Sequence, residues 1–130
     1  PPPLIIVDSS VWVDVMRRPT TERAVNFPRL LDADEVALPL PVRLELLSGV
    51  ARKDRRAFRR ALATLPLLVP SEDTWQLMES WVEPAANAGF RFAVTDLLIA
   101  ALAREVVGLA WSLDSDFAAM EALGFVRRYQ

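Results

Sequence analysis

Acidic residues stand at several points along the chain where an apolar segment ends or a helix is expected to begin. The acids in question are Asp8, Glu45, Asp96 and Asp114, with Asp116 two residues further on. Taken singly, each is better explained as a turn residue, a helix cap or a solvent-exposed carboxylate. Two carboxylates about 5 Å apart repel by roughly 3 kcal/mol at an effective dielectric near 20. Four gathered in one cleft would therefore either protonate in part or bind a cation.

The residue types that are missing restrict the chemistry further. The 130 residues include no Cys and no His, which excludes disulfides, zinc–thiolate sites, Ser-His-Asp triads and histidine-ligated metals. Lys53 is the only lysine, so Schiff-base chemistry has a single candidate. Oxygen ligands select a hard divalent cation such as Mg²⁺ or Mn²⁺. Such an ion lowers the pKa of bound water and screens a phosphodiester, which supports in-line attack on phosphorus.

The hydrophobic pattern predicts an α/β fold with a parallel sheet and helices on both of its faces. Strands are expected at residues 4–7, 35–40 and 109–113, with a short strand or an extended link at 67–69 and an edge strand at 125–129. Helices are expected at 11–16, from 20 or 21 to 31, and at 42–50, 54–65, 72–88, 96–107 and 116–123. The length suits one domain, taken as residues 1–130. Asp8 and Asp114 follow two strands, which places both at the carboxyl edge of the sheet, where sites in such folds lie.

Residues at the helix starts refine the expected positions of the acids. The expected N-caps, in chain order, are Ser9 or Ser10, Thr20 or Thr21, Ser71, Thr95 and Asp116. On its helix Glu45 has two small neighbours, Ser48 and Gly49, and Asp96 has Ala100 one turn on. The small neighbours would leave space in front of both carboxylates.

Four short motifs that contain these acids resemble, in order and spacing, those of the PIN domain family. They are Ile6–Asp14, Leu44–Leu46, Thr95–Ala101 and Leu113–Phe117. Each motif is weak alone, but together they span the chain from about Leu4 to about Phe125. Within the family, the chain most resembles the VapC-type toxins of type II toxin–antitoxin systems.

The resemblance implies a three-layer α/β/α sandwich around a central, mainly parallel sheet. It also implies an endoribonuclease that depends on Mg²⁺ or Mn²⁺, with tRNA or ribosomal RNA among the substrates of the family. Carried over residue by residue, the catalytic and metal-binding acids are Asp8, Glu45, Asp96 and Asp114, with Asp116 as a further metal ligand. Ser10 matches a position where a hydroxyl supports the site.

One segment is strongly basic although the whole chain has a net charge of −2, which by itself does not indicate a nucleic-acid partner. Six of nine residues in this segment are basic: Arg52, Lys53, Arg55, Arg56, Arg59 and Arg60. Alone, such a run is most simply a solvated helix face. Beside an acidic cleft it gains a second interpretation, because a polyanion bound there needs nearby positive charge. We therefore predict that these residues bind RNA phosphates.

Three other functions are weighed on the residues alone. A phosphotransferase could use Asp8 as its nucleophile, but the usual Asp-x-Asp is absent because Ser9 and Ser10 follow. A catalytically silent PIN-like binding module should have lost one or more acids, and none is lost. A receiver domain would place a lysine late in the chain, and the only lysine is Lys53.

The resemblance also implies partners. A small cognate antitoxin is expected to block the acidic cleft, with an arginine aimed at the carboxylates, and a homodimer is expected by analogy with the family. Trp12 and Met16 are candidates either for the core or for a partner surface. No apolar run approaches the roughly 20 residues of a membrane helix, so no membrane partner is expected and the cytoplasm is the expected location.

Overall fold

A five-stranded, all-parallel sheet forms the centre of the computed structural model, which describes residues 2–130. The strands are β1 (Ile5–Val7), β2 (Val36–Pro39), β3 (Leu67–Leu68), β4 (Leu109–Trp111) and β5 (Arg127–Arg128). Their spatial order is β3-β2-β1-β4-β5, and every neighbouring pair is parallel. The first strand of the chain is therefore the central strand, and the residue that follows it lies at the middle of the carboxyl edge.

Seven helices within residues 2–130 connect the strands and cover both faces of the sheet, which confirms the predicted α/β/α architecture. They are α1 (Ser9–Arg17), α2 (Glu22–Asp32), α3 (Leu40–Gly49), α4 (Arg52–Leu62), α5 (Glu72–Asn87), α6 (Val94–Glu105) and α7 (Asp116–Ala122). Helix α1 packs against α2 and α3, α3 also packs against α4, and α6 packs against both α5 and α7. No helix in this part of the chain is both long and apolar enough to cross a membrane.

Helix α6 is the most deeply buried helix in the fold. Every residue from Leu97 to Ala103 is buried, and the helix contacts β1 and β4 as well as its two neighbouring helices. A helix that is apolar on all sides is stable only when it is enclosed in this way. Its first turn carries Asp96, so the packing of α6 fixes the position of that carboxylate.

Two predicted helix caps are confirmed and three are wrong. Thr21 is the N-cap of α2, and its hydroxyl accepts a hydrogen bond from the Ala24 N–H at 3.2 Å. Ser71 is the N-cap of α5, and its N–H donates to Thr74 Oγ1 at 3.0 Å. Thr95 is not a cap, because α6 begins at Val94, two residues before the predicted start, with Ala93 as its N-cap. The other two wrong assignments are Ser9 or Ser10, where Asp8 is the N-cap, and Asp116, which is the first residue of α7.

All five strands are shorter than the sequence predicts, and β4 and β5 illustrate how they end. Strand β4 ends at Trp111 instead of residue 113, because the Ser112 hydroxyl bonds to Asp8 and to the Asp114 N–H and turns the chain away from the sheet. Strand β5 is only Arg127–Arg128, and the preceding Phe125 is buried in the core.

The turn between α6 and β4 combines a strained residue with a close contact. Val107 has a φ of 53°, a left-handed conformation that is unfavourable for a β-branched residue. The next residue, Gly108, lies so close to β1 that an added Cβ would be 2.4 Å from Ile6 Cδ1 and 2.8 Å from the Leu4 carbonyl oxygen. Only glycine fits there, and this contact sets how closely α6 approaches the central strand.

Candidate active site

Asp8 is a buried carboxylate held by hydroxyl groups at the centre of the carboxyl edge. It is only 7 % exposed, and its Oδ2 accepts hydrogen bonds from Ser10 and Ser112, each at 2.8 Å. Ser10 reaches it because α1 begins directly after β1. Ser112 reaches it because Val7 and Trp111 are partners in register, so the residues that follow them stand side by side. The two hydroxyls fix the orientation of the Asp8 side chain.

Ser112 is a site residue that the sequence pattern did not predict. Its hydroxyl accepts from the Asp114 N–H at 3.0 Å, while Ser10 Oγ accepts from the Leu113 N–H at 3.0 Å. The two serines therefore tie the segment after β4 to the start of α1. A signal for it was present in the sequence. Val7 and Trp111 are the last apolar residues of β1 and β4 before a polar one, and aligning these two residues in parallel strands places Ser112 opposite Asp8.

Three aspartates form a compact cluster beside Asp8. Asp96, Asp114 and Asp116 each offer a carboxylate oxygen, and these oxygens all lie within 4.8 Å of one another. Ser115 is the N-cap of α7 but makes no capping side-chain hydrogen bond, and it is the Asp114 carboxylate that accepts from the first N–H of the helix, that of Asp116, at 2.9 Å. The sequence assigned this capping role to Asp116, and the assignment fails because α7 begins at Asp116 itself.

The electrostatics of Asp96 show that all five predicted acids share one cleft. The pKa of Asp96 is raised to about 6, and the largest cause is burial, which penalises the charged form. The negative carboxylates around it contribute to this raised pKa; in order of effect they are Asp114, Asp8, Asp116 and Glu45. The predicted convergence of the acids is therefore present in the fold.

Glu45 lies on the open side of this cleft. Partial loss of water raises its pKa, the nearby Asp8 carboxylate raises it further, and hydrogen bonding to Ser9 partly offsets both effects. A groove of about 420 Å³ runs from Glu45 between α1 and α3, with Gly49 and Met16 among its lining residues. The small residue at position 49 thus leaves space beside the carboxylate, as its spacing predicts.

The five acids have the donor chemistry of a site for a hard cation. Within residues 2–130, none of them forms an ion pair with a basic side chain, whereas Asp14 pairs with Arg18 and Arg23, and Glu121 pairs with Arg128. Uncompensated carboxylate oxygens at close range are the ligands that Mg²⁺ and Mn²⁺ prefer. Asp96, Asp114 and Asp116 fit such an ion best, because their oxygens are already gathered.

The predicted RNA-binding residues lie on α4 and differ in their surroundings. Five of them are exposed and free to meet a ligand at the surface: Arg52, Lys53, Arg56, Arg59 and Arg60. Arg55 is half-buried, and its guanidinium donates to the carbonyl oxygens of Leu47 and Val50, both at 3.1 Å. Arg55 therefore closes the end of α3, and two of its N–H groups are used within the fold.

The chain has a parallel α/β/α sandwich with a cluster of acids at the carboxyl edge of its sheet. Comparison with known proteins shows which family has this fold and site. The sequence profile of the PIN domain matches residues 5–123, and the chain belongs to the PIN domain family. No match is found among curated protein sequences.

Three solved structures illustrate the similarity in fold. VapBC-1 from nontypeable Haemophilus influenzae gives a TM-score of 0.78 at 16% identity, covering 98% of this chain and 97% of that one. VapBC2 from Rickettsia felis, bound to a DNA fragment from its promoter, gives 0.76 at 14% identity, with 97% of each chain covered. VapBC-5 from Mycobacterium tuberculosis, a member of the VapBC family of toxin–antitoxin systems, gives 0.66 at 26% identity over 98% and 100%.

Proposed function

We propose that this protein is a metal-dependent endoribonuclease that acts as the toxin of a toxin–antitoxin pair. The observation that carries the proposal is the gathering of four carboxylates around that of Asp96 in a PIN domain, with no basic side chain of residues 2–130 forming an ion pair with any of the five. A site that serves only the fold would not gather like charges at this cost. The similar VapBC structures support the toxin assignment.

The cofactor in this proposal is Mg²⁺ or Mn²⁺, held by Asp96, Asp114 and Asp116. When bound, such an ion supplies an activated water and neutralises charge on the scissile phosphate. Asp8 contributes its negative charge beside this cluster, and the hydroxyls of Ser10 and Ser112 keep its carboxylate in one orientation.

Glu45 is the residue best placed to move a proton in the proposed reaction. It lies on the solvent side of the cleft, and its pKa is raised by partial burial and by Asp8. A carboxylate whose pKa is shifted towards neutrality accepts a proton more readily from an attacking water. Its open surroundings also let that proton leave to solvent.

RNA is the proposed substrate, and the exposed basic face of α4 supports it. Arginine forks bind phosphate in a bidentate manner, and such contacts position a strand without reading its sequence. The exposed residues Arg52, Lys53, Arg56, Arg59 and Arg60 are proposed to hold the backbone of the RNA.

A small antitoxin is the proposed partner, and the groove between α1 and α3 is the proposed place for it. The groove begins at Glu45 and continues past Met16, which is 55% exposed on α1. An apolar segment of the antitoxin in this groove would bring an arginine to the carboxylates, where charge-assisted hydrogen bonds are strong. A homodimer is proposed on separate grounds, since Trp75 and Val82 of α5 leave an apolar face 48% and 57% exposed.

Cleavage of RNA by the purified protein tests the enzymatic part of the proposal. The wild type should cleave single-stranded or transfer RNA with Mn²⁺, and excess EDTA should stop it. Asp96→Asn should reduce the rate by roughly 100-fold or more, because a charged ligand of the ion is lost. Glu79→Gln, on the exposed surface of α5, is the matched control and should be as active as the wild type. Full activity of Asp96→Asn would refute the metal site.

Growth of cells that express the chain tests the toxin assignment. Expression of the wild type or of Glu79→Gln should arrest growth, and the same amount of folded Asp96→Asn should not. Normal growth with high levels of active wild-type protein would argue against a toxin.

A further inference from the structure

A second pocket lies next to the acidic cleft, at the end of the sheet formed by β4 and β5. Its volume is about 670 Å³, within the range of pockets that bind small molecules. Its lining includes Glu22, Asn26 and Arg29 of α2, together with Trp111 and Tyr129. None of them belongs to the set of acids.

Two aromatic rings form one wall of this pocket. Trp111 and Tyr129 lie beside each other, with ring centroids 4.9 Å apart and planes inclined at 56°. Phe27 meets the indole edge-on from α2, with centroids 5.9 Å apart. Because both wall residues are only half-buried and do not stack face to face, aromatic surface remains open to the pocket. Such surface stacks with the planar bases of single-stranded nucleic acids.

Polar groups on α2 complete the pocket with donors and acceptors. Asn26 Nδ2 donates to the Tyr129 hydroxyl oxygen at 2.9 Å, and Arg29 donates to Asn26 Oδ1. Among residues 2–130 the Tyr129 hydroxyl hydrogen has no acceptor, so it is available to a ligand. Glu22 adds a carboxylate acceptor, and the exposed Arg29 adds positive charge. These groups match the edge of a base and its attached phosphate.

The pocket and the acidic site are joined through the end of β4. Trp111 directly precedes Ser112, whose hydroxyl holds Asp8, and the Trp111 carbonyl oxygen accepts from the Asp8 N–H at 2.9 Å. Trp111 of the pocket and Asp8 of the acidic site are thus joined by a backbone hydrogen bond, which places the pocket beside the site at the carboxyl edge of the sheet.

We propose that this pocket binds one base of a single-stranded RNA substrate, adjacent to the nucleotide that is cut. The base stacks on Trp111 and Tyr129, its edge bonds to Asn26 and the Tyr129 hydroxyl, and Arg29 pairs with a flanking phosphate. The inference rests on the proposed ribonuclease function, because it assigns part of the substrate to a second location. It gives the enzyme a means of choosing where in a strand to cut.

Binding of RNA with single missing bases tests this proposal. A fluorescein-labelled, single-stranded RNA would be prepared as a set in which each nucleotide in turn is replaced by an abasic one. Affinity would be measured by anisotropy, with Ca²⁺ replacing Mn²⁺ to suppress cleavage. For the wild type, one abasic position next to the cut should weaken binding about tenfold, the usual effect of losing one stacked base.

The variants Tyr129→Ala and Asn26→Ala locate the effect. Each should bind the intact RNA several-fold more weakly and should no longer respond to that abasic position. Arg127→Gln is the matched control, because Arg127 is exposed on β5 but does not line the pocket, and it should respond like the wild type. Alanine favours helices, so Asn26→Ala remains a valid test if Tyr129→Ala fails to fold.

The possible failures are distinguishable. If the wild type cleaves RNA but no abasic position matters, or if the pocket variants respond like Arg127→Gln, the pocket proposal is overturned alone. If one abasic position weakens binding in the wild type but not in the pocket variants, and no condition gives cleavage, the pocket is a base-binding site and the ribonuclease proposal falls, together with the placement of that base beside a cut. If the wild type binds no RNA, both are overturned.

Discussion

Asp96 is the residue whose pKa links the crowding of the acids to the stability of the metal-free protein. Its pKa is about 6 in the fold, against about 3.9 in an unfolded chain. The folded state therefore holds a proton that the unfolded state has released over this interval. Asp96 therefore stabilises the fold at a pH below its pKa in the unfolded chain. This contribution is lost as the pH rises through its pKa in the folded protein.

We expect the metal-free protein to lose stability as the pH rises from about 4 to about 6, and Asp96→Asn to lose less. The asparagine neither titrates nor repels the surrounding carboxylates. Urea unfolding in EDTA across this range measures the difference, with Glu79→Gln as the control for removal of an acid. Equal pH dependence in wild type and Asp96→Asn would contradict the crowding of the acids.

Asp114 and Asp116 should respond differently to truncation. Asp114→Ala removes the acceptor of the Asp116 N–H and should cost on the order of 1 kcal/mol of stability, as the loss of a helix cap does. Asp116→Ala removes only a negative charge from the cluster, so the metal-free protein should be as stable as the wild type or more so. Thermal melting in EDTA compares the two. A larger loss for Asp116→Ala would show that the cap belongs to Asp116 after all.

At the scale of single elements, α4 should act through charge and not through packing. Replacing Arg56, Arg59 and Arg60 with glutamine should weaken RNA binding and lower its salt dependence, by about 0.7 in the log–log slope for each phosphate of a single strand that is no longer neutralised. Binding across a range of NaCl concentrations measures the slope. Arg55→Gln should instead lower the melting temperature, because Arg55 closes α3. An unchanged slope for the triple variant would leave α4 a solvated surface.

Two neighbouring substitutions in the turn between α6 and β4 should change the stability of the fold in opposite directions. Val107 is 71% exposed, so Val107→Asn loses little packing and relieves a left-handed conformation that costs on the order of 1 kcal/mol. It should therefore raise the stability. Gly108→Ala should lower it, because the new methyl group would overlap Ile6 and the Leu4 carbonyl. Denaturant midpoints of both variants give the two signs, and a destabilised Val107→Asn would count against the strain.

The elements differ in how far the sequence alone defines them. Strand β1 and the buried helix α6 are predicted because each contains an uninterrupted apolar run, which indicates a buried element. Their ends are less certain, and β4 shows why, since Ser112 leaves the sheet for a hydrogen bond to Asp8, which lies 104 residues away in sequence. The apolar residues of α5 show the same limit: Met78 and Trp81 are buried, but Trp75 and Val82 are exposed. Hydrophobicity does not tell which of two apolar helix faces has a partner.

For the molecule as a whole, ion binding should stabilise the fold. A ligand that binds only the folded state at a hundred times its Kd adds about 2.7 kcal/mol, so Mn²⁺ or Mg²⁺ should raise the melting temperature by several degrees. Asp96→Asn should show a smaller rise, and Glu79→Gln should match the wild type. Equal rises in all three proteins would place the ion outside the acidic cluster.

The central position of β1 also decides when the acidic site can assemble during synthesis of the chain. Asp8 leaves the ribosome 104 residues ahead of its hydrogen-bond partner Ser112. At about 5–20 residues per second, that separation amounts to several seconds of translation. Asp114 and Asp116 come later still, so no nascent chain that stops short of them contains the cluster. For every copy of this protein that a cell makes, several seconds therefore pass between the synthesis of Asp8 and the assembly of the acidic cluster.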